Sequence, residues 1–232
     1  MPDPPSLFFR VESLLNHSGF PVVVVNLPPG LPSPETLPGS AAVRAAGSIV
    51  EPSTVKVTGE ACGSIQSGSG FVAGRDLVVT NAHVVAGETS TTLTVGEQVR
   101  RATPVVYDSR LDVAVLRVPG LDAPAATATT PPVGAGATAA IAGFPQGGAF
   151  RAEPAAVNAR FEAVGLDICG NALTSRDVYE LHGAVRPGNS GGPLVATGLP
   201  AGGAVRNGTV IGVVFARVAD RTAAKAIRPI DV

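Results

Sequence analysis

Pro187-Gly188-Asn189-Ser190-Gly191-Gly192-Pro193-Leu194 is the stretch from which this chain is read. Three glycines surround one serine, so the backbone can take dihedrals that other residues avoid and can be approached closely by another segment. Such a turn exposes the Ser190 hydroxyl and points successive backbone N–H groups into one concavity. Those donors can hold the oxygen of a tetrahedral intermediate as its negative charge develops. An ordinary glycine-rich loop that carries a serine looks the same in isolation. The partners decide.

A serine hydroxyl becomes a useful nucleophile when a neighbouring base takes its proton. The chain has three histidines, His17, His83 and His182. His17 closes an apolar stretch, Ser6 to Ser18, whose Leu7, Phe8, Val11, Leu14 and Leu15 fall at helical spacing, and it reads as a cap or a solvated residue. His182 lies in a strand leading to the serine, where a structural hydrogen bond accounts for it. His83, in Thr80-Asn81-Ala82-His83-Val84-Val85, follows the apolar strand Leu77-Val78-Val79 and would stand at the edge of a cleft. The base in turn needs a carboxylate to fix its tautomer. Asp112 opens the strand Val113 to Val118 between Leu111 and Val113, which predicts a half-buried carboxylate that is costly unless it accepts a bond. Asp108 in a polar turn and Asp122 in a loop compete for that place.

Working outward, short β-branched runs recur at Thr54–Val57, Gly70–Val72, Leu77–Thr80, Thr92–Val95, Arg101–Tyr107 and Val113–Val118. After a connection at Ala123–Ala137 they resume at Thr138–Gly143, Ala156–Val164, Val178–Leu181, Leu194–Val195 and Val210–Val218. Roughly six strands on each side of a connection is what a pair of barrels requires. Ahead of them lies a Pro- and Gly-rich segment at Pro28–Ser40, read as a surface connection.

The three segments Thr80–Val85, Asp112–Val118 and Gly188–Leu194 resemble the catalytic motifs of the chymotrypsin-like (trypsin-fold) serine peptidases, in that family's chain order of His, Asp, Ser. Gly68-Ser69-Gly70-Phe71 and Gly143-Phe144-Pro145-Gln146-Gly147 resemble the bacterial HtrA/Deg-like branch. From about Val50 to Ala216 the chain is similar to the membrane-anchored actinobacterial serine proteases of the MarP type. The resemblance implies an all-β fold of two six-stranded barrels. Residues 1–50 would be an extension with a short helix, and residues 51–232 a protease domain, with barrel 1 at about 51–122 and barrel 2 at about 138–232. It also implies Ser190 as nucleophile, His83 as base and Asp112 as its orienting carboxylate, with the N–H groups of Gly188 and Ser190 as the oxyanion donors. No cofactor or metal is called for. Substrates would be proteins or peptides, in an extracytoplasmic compartment, with any membrane anchor outside this chain.

By the same resemblance the base of the specificity pocket falls at Ala184 and its walls at Val214, Phe215 and Ala216. None of these is charged, which favours small or medium apolar substrate side chains. Asn189 stands where secreted digestive members carry an aspartate, so activation by insertion of a new N-terminus is not expected. Cys62 and Cys169 read either as two free thiols or as one bridge formed in an oxidising compartment. MarP-type relatives would instead pair Cys62 with a cysteine near the C-terminus, which this chain lacks.

Composition agrees with a globular reading. Hydrophobic residues make up 45% and charged residues 15%, and the 28 glycines and 21 prolines supply turns. A net charge of −1 gives nucleic acid no electrostatic footprint to bind. Rigid barrels suit a monomer, although an apolar helix face on the extension would offer a dimer contact.

Overall fold

The computed structural model describes residues 36–61, 64–129, 131–198, 205–217 and 223–227, together with a two-residue strand pair, β1 (Leu15–Asn16) and β2 (Phe20–Pro21). The next element is a helix, α1 (Ser40–Val50). The first barrel comprises β3 (Thr54–Ala61), β4 (Ser64–Gly74), β5 (Leu77–Thr80), β6 (Ser90–Val95), β7 (Gln98–Asp108) and β8 (Val113–Arg117). The second comprises β9 (Thr138–Gly143), β10 (Arg151–Leu166), β11 (Leu173–Gly183), β12 (Pro193–Ala196), β13 (Val210–Arg217) and β14 (Ala223–Ile227).

Both sheets are antiparallel and both close. The first runs β3-β4-β5-β8-β7-β6 and the second β9-β10-β11-β14-β13-β12, so the two barrels share one winding. Closure leaves no strand edge open to another chain. The side-chain period of two is plain in β6, where Thr91, Leu93 and Val95 are buried and their neighbours are not. The expected pair of six-stranded barrels is therefore present.

Two apolar clusters fill this frame. Ala139, Ile141, Val157, Tyr179, Leu181, Leu194, Ile211 and Val214 occupy the interior of the second barrel. The other cluster joins the first barrel's interior to the outer face of the second, through Ala140, Ala142, Val195, Val213 and Phe215. In β9 and β13 successive residues thus feed different cores, which is why both strands are buried on both faces.

The N-terminal helix lies elsewhere than the sequence suggested. It spans Ser40–Val50, a stretch of the extension to which the sequence reading gave no element, and turns Val43, Ala46, Gly47 and Val50 inward. These pack into the cluster shared by the two barrels, beside Ala140 and Ala142. The approach is close: a Cβ on Gly47 would lie 2.9 Å from the Ala152 Cβ. Of the helix expected over Ser6–Ser18, Leu15–Asn16 is strand and the remainder lies outside the described residues, as do His17 and the Val22–Val25 run. The sixth strand of the second barrel, β14, was not anticipated. Its sequence Ala-Ala-Lys-Ala-Ile has little strand preference, and pairing with β11 and β13 imposes the extended form.

Candidate active site

β5 is central in the first barrel, paired with β4 and β8, and its buried end delivers the chain at Thr80–Asn81 to a single helical turn, α2 (Ala82–Val85). That turn carries His83, 5% exposed. Next to it, the loop before β8 presents Asp112 with φ +59°, a left-handed conformation that aspartate tolerates better than most residues. Asp108 shapes this loop, its Oδ1 accepting the N–H groups of Arg110 (2.8 Å) and Leu111 (2.9 Å). Asp108 is therefore a turn-former, and Asp122 sits exposed in its loop.

The Asp112 carboxylate is wholly buried, deeper than the half-burial expected, and reaches His83 twice. Its Oδ2 lies 2.7 Å from His83 Nδ1, and its Oδ1 accepts the His83 backbone N–H at 2.9 Å. Asn81 adds a third tie, donating from Nδ2 to the Asp112 carbonyl at 2.8 Å. With Nδ1–H directed at Asp112, His83 Nε2 is left as an acceptor, and this buried atom has no hydrogen-bond partner among the described residues. The electrostatic surroundings include Arg176 on β11, 2% exposed. Burial pulls the Arg176 pKa down, and the carboxylates of Asp112, Asp167 and Asp108 oppose that pull.

Ser190 comes from the second barrel, in the turn between β11 and β12, and is 4% exposed. Asn189 N–H donates to the Arg186 carbonyl at 3.0 Å, closing a four-residue turn with Pro187 second and Gly188 third. Gly188 has φ +92°, the signature of a type II turn with glycine in the place that requires it. Two carbonyls of the turn are tied down. Pro187 C=O accepts from Gln146 N–H at 2.6 Å, and Asn189 C=O accepts from Gly192 N–H at 2.9 Å. Across each trans peptide the N–H points the opposite way, so the N–H groups of Gly188 and Ser190 are aimed away from those anchors. Neither has an acceptor among the described residues.

His83, Gly188 and Ser190 line one cleft of about 370 Å³, with Gln66, Ser67, Val84, Gln146 and Pro187. A broader groove of about 730 Å³ runs past Pro132–Ala135 and the β10–β11 hairpin. No histidine lines it among the described residues, its Ser175 hydroxyl donates to the exposed Glu162 carboxylate, and its Arg160 and Asp177 pair with each other at 2.6 Å. Chemistry therefore favours the smaller cleft.

Other expected site residues lie apart from it. Val214 and Phe215 are both fully buried, because β13 points them alternately into the two cores. Ala184 is exposed just ahead of the nucleophile turn, and the Ala216 side chain is outside the described residues. Ala184, Val214 and Phe215 do not border the cleft beside Ser190. Cys169 is a free thiol in the turn between β10 and β11, and Cys62 lies outside the described residues. Burial raises the Cys169 pKa, and Asp167 adds to the rise. Sequence reading gave no individual role to Ser69 and Gln146, quoted only within motifs, and none to Arg176; Ser69 is hydrogen-bonded to the Ser190 turn. Among the described residues no group of three His, Cys, Asp or Glu side chains converges as a metal site would.

Residues 68–199 match the trypsin-like peptidase domain. The serine protease Rv3671c of Mycobacterium tuberculosis is 39% identical over 218 residues, covering 91% of this chain and 52% of that protein. Its crystal structure in the active form superposes with a TM-score of 0.76 at 36% identity, covering 88% of this chain and 89% of that one. The Do-like serine protease HtrA of Lactococcus lactis is 34% identical over 146 residues, covering 61% of this chain and 35% of that protein. The chain spans about half the length of the Mycobacterium protein or less of the relatives it matches. With a matched domain that includes His83, Asp112 and Ser190, and two closed barrels that meet where these residues stand, the chain belongs to the trypsin-like serine peptidases.

Proposed function

We propose that this chain is the catalytic unit of a serine endopeptidase of the HtrA and Rv3671c kind, with His83, Asp112 and Ser190 as its triad. The observation that carries the reading is the 2.7 Å contact between His83 Nδ1 and Asp112 in a cleft that also presents Ser190. It leaves His83 Nε2 as the acceptor for the Ser190 proton. Ser190 Oγ then attacks the scissile carbonyl, and the proton on His83 passes to the leaving amine. Water reverses the sequence to release the acyl group. The Gly188 and Ser190 N–H groups hold the oxyanion in both steps.

Asn189 cannot form the ion pair that insertion of a new N-terminus would make, so activity is independent of propeptide removal. No carboxylate lines the cleft beside Ser190 among the described residues, which favours a small or medium apolar substrate side chain over Lys or Arg. The protease unit begins near residue 51 and the preceding segment serves as an extension. The unit is a monomer that works outside the cytoplasm, attached through a membrane-anchored parent chain, and it acts on envelope or stress-damaged proteins. No helix among the described residues is long and apolar enough to cross a membrane.

Labelling with a fluorophosphonate probe tests the reading. The wild-type chain should be labelled, and Ser190→Ala should not. Folded wild-type protein that resists the probe would overturn the protease assignment.

A further inference from the structure

Ser69 belongs to the first barrel, on β4, yet it bonds to the second barrel at three points. Its hydroxyl accepts from Phe144 N–H at 2.9 Å and donates to the Gly188 carbonyl at 2.7 Å. Its backbone N–H donates to the Ser190 carbonyl at 2.8 Å. From behind, the Thr80 hydroxyl donates to the Ser69 carbonyl at 2.7 Å. The side chain is fully buried. Glycines hem it in: a Cβ on Gly143 would stand 2.6 Å from Ser69 Oγ, and one on Gly191 2.2 Å from its carbonyl oxygen.

The turn that Ser69 holds by Phe144 is also the turn whose Gln146 N–H fixes the Pro187–Gly188 peptide. That peptide is therefore held through a segment that Ser69 anchors at Phe144, while the same hydroxyl binds the carbonyl of the next peptide, Gly188–Asn189. The alternative for a four-residue turn is type I, in which the central peptide inverts and the third residue takes negative φ. Inversion would carry the Gly188 N–H out of the cleft.

Resting on the protease reading above, we propose that the Ser69 hydroxyl is a positioning group that keeps the Gly188 N–H in the oxyanion site and thereby ties that site to the seating of one barrel on the other. Without it, Phe144 N–H and the Gly188 carbonyl lose a buried partner together, and the type II turn loses its advantage.

The test is the kinetics of fluorophosphonate labelling, separated into the maximal rate of inactivation and the half-saturating probe concentration. Wild type and Ser190→Ala come first: no labelling of wild type would fail the protease reading itself and this inference with it. Given labelling that depends on Ser190, Ser69→Ala should lower the maximal rate about 10- to 100-fold, somewhat less than deleting a direct oxyanion donor. Half-saturation should stay within about twofold, since only chemistry is impaired. Ser69→Cys, which keeps the shape with a weak donor, should fall between the two. A rate for Ser69→Ala within twofold of wild type would overturn the proposal. So would a loss that Ser53→Ala, another buried serine, reproduces, or one that Ser69→Cys does not relieve.

Discussion

Asp112 grips His83 at two points, its Oδ2 2.7 Å from the ring Nδ1 and its Oδ1 2.9 Å from the backbone N–H. One carboxylate thus fixes both the tautomer of the imidazole and the position of the helical turn that carries it. Asp112→Asn keeps an acceptor for the backbone N–H but favours the wrong tautomer. Turnover should fall about 10³- to 10⁴-fold near neutral pH, with a melting temperature close to wild type. Steady-state hydrolysis and thermal melts on the same sample check both halves.

Gly188 is constrained by conformation and by space. A Cβ there would meet the Phe144 carbonyl oxygen at 2.5 Å and Gln146 N at 2.7 Å, in a residue already at φ +92°. Gly188→Ala should cost about 1–3 kcal/mol of stability. Activity should drop about 100-fold or more, because the displaced peptide bears an oxyanion donor. Denaturant unfolding and probe labelling measure the two effects.

Glu88, just beyond the His83 turn, has its pKa raised from 4.5 to about 7 by burial, partly offset by the hydroxyl of Thr91 donating to its Oε2 at 2.5 Å. The unfolded chain ionises this group first, so the folded state holds the extra proton in between. The contribution of Glu88 to stability is greatest at and below about pH 4.5, declines as pH rises to about 7, and levels off above. For a half-exposed carboxyl, solvent screening reduces the effect to about 1–2 kcal/mol. Glu88→Gln should remove this part of the pH dependence, read as the difference between wild-type and variant melting temperatures across the same pH series.

Ala46 is fully buried on the inner face of α1, where the helix meets the barrels. Ala46→Asp would bury a charge with no partner and should cost about 3 kcal/mol or more. Activity per folded molecule should remain near wild type, since α1 does not line the cleft. Comparing melting temperature with the labelled fraction of folded protein distinguishes the two.

The residues proposed as the triad stand out in the sequence because each sits in a short segment with a distinctive setting: apolar strand before His83, apolar strand after Asp112, glycines about Ser190. Strand alternation likewise marked eleven of the barrel strands. What escaped was set by contacts distant in sequence. β14 has the composition of a helix and is extended only because β11 and β13 pair with it. α1 was hidden by alanines and a glycine that look like linker, although Val43, Ala46 and Val50 fall at helical spacing. Val214 and Phe215 sit in a strand packed on both faces, a fact no local pattern reveals. The bond from Ser69 to Gly188 spans 119 residues of sequence, and nothing near either residue announces it.

His83 and Ser190 stand on separate barrels, and each barrel completes its own ladder of backbone bonds. Opening the seam between them would break few of those bonds, so spectroscopic signals of secondary structure would barely change while His83 and Ser190 drifted apart. Heat inactivation should accordingly precede the loss of β-sheet signal, and amide exchange at Ser69 and Phe144 should outpace exchange within either barrel. For this enzyme, thermal tolerance is a property of a joint.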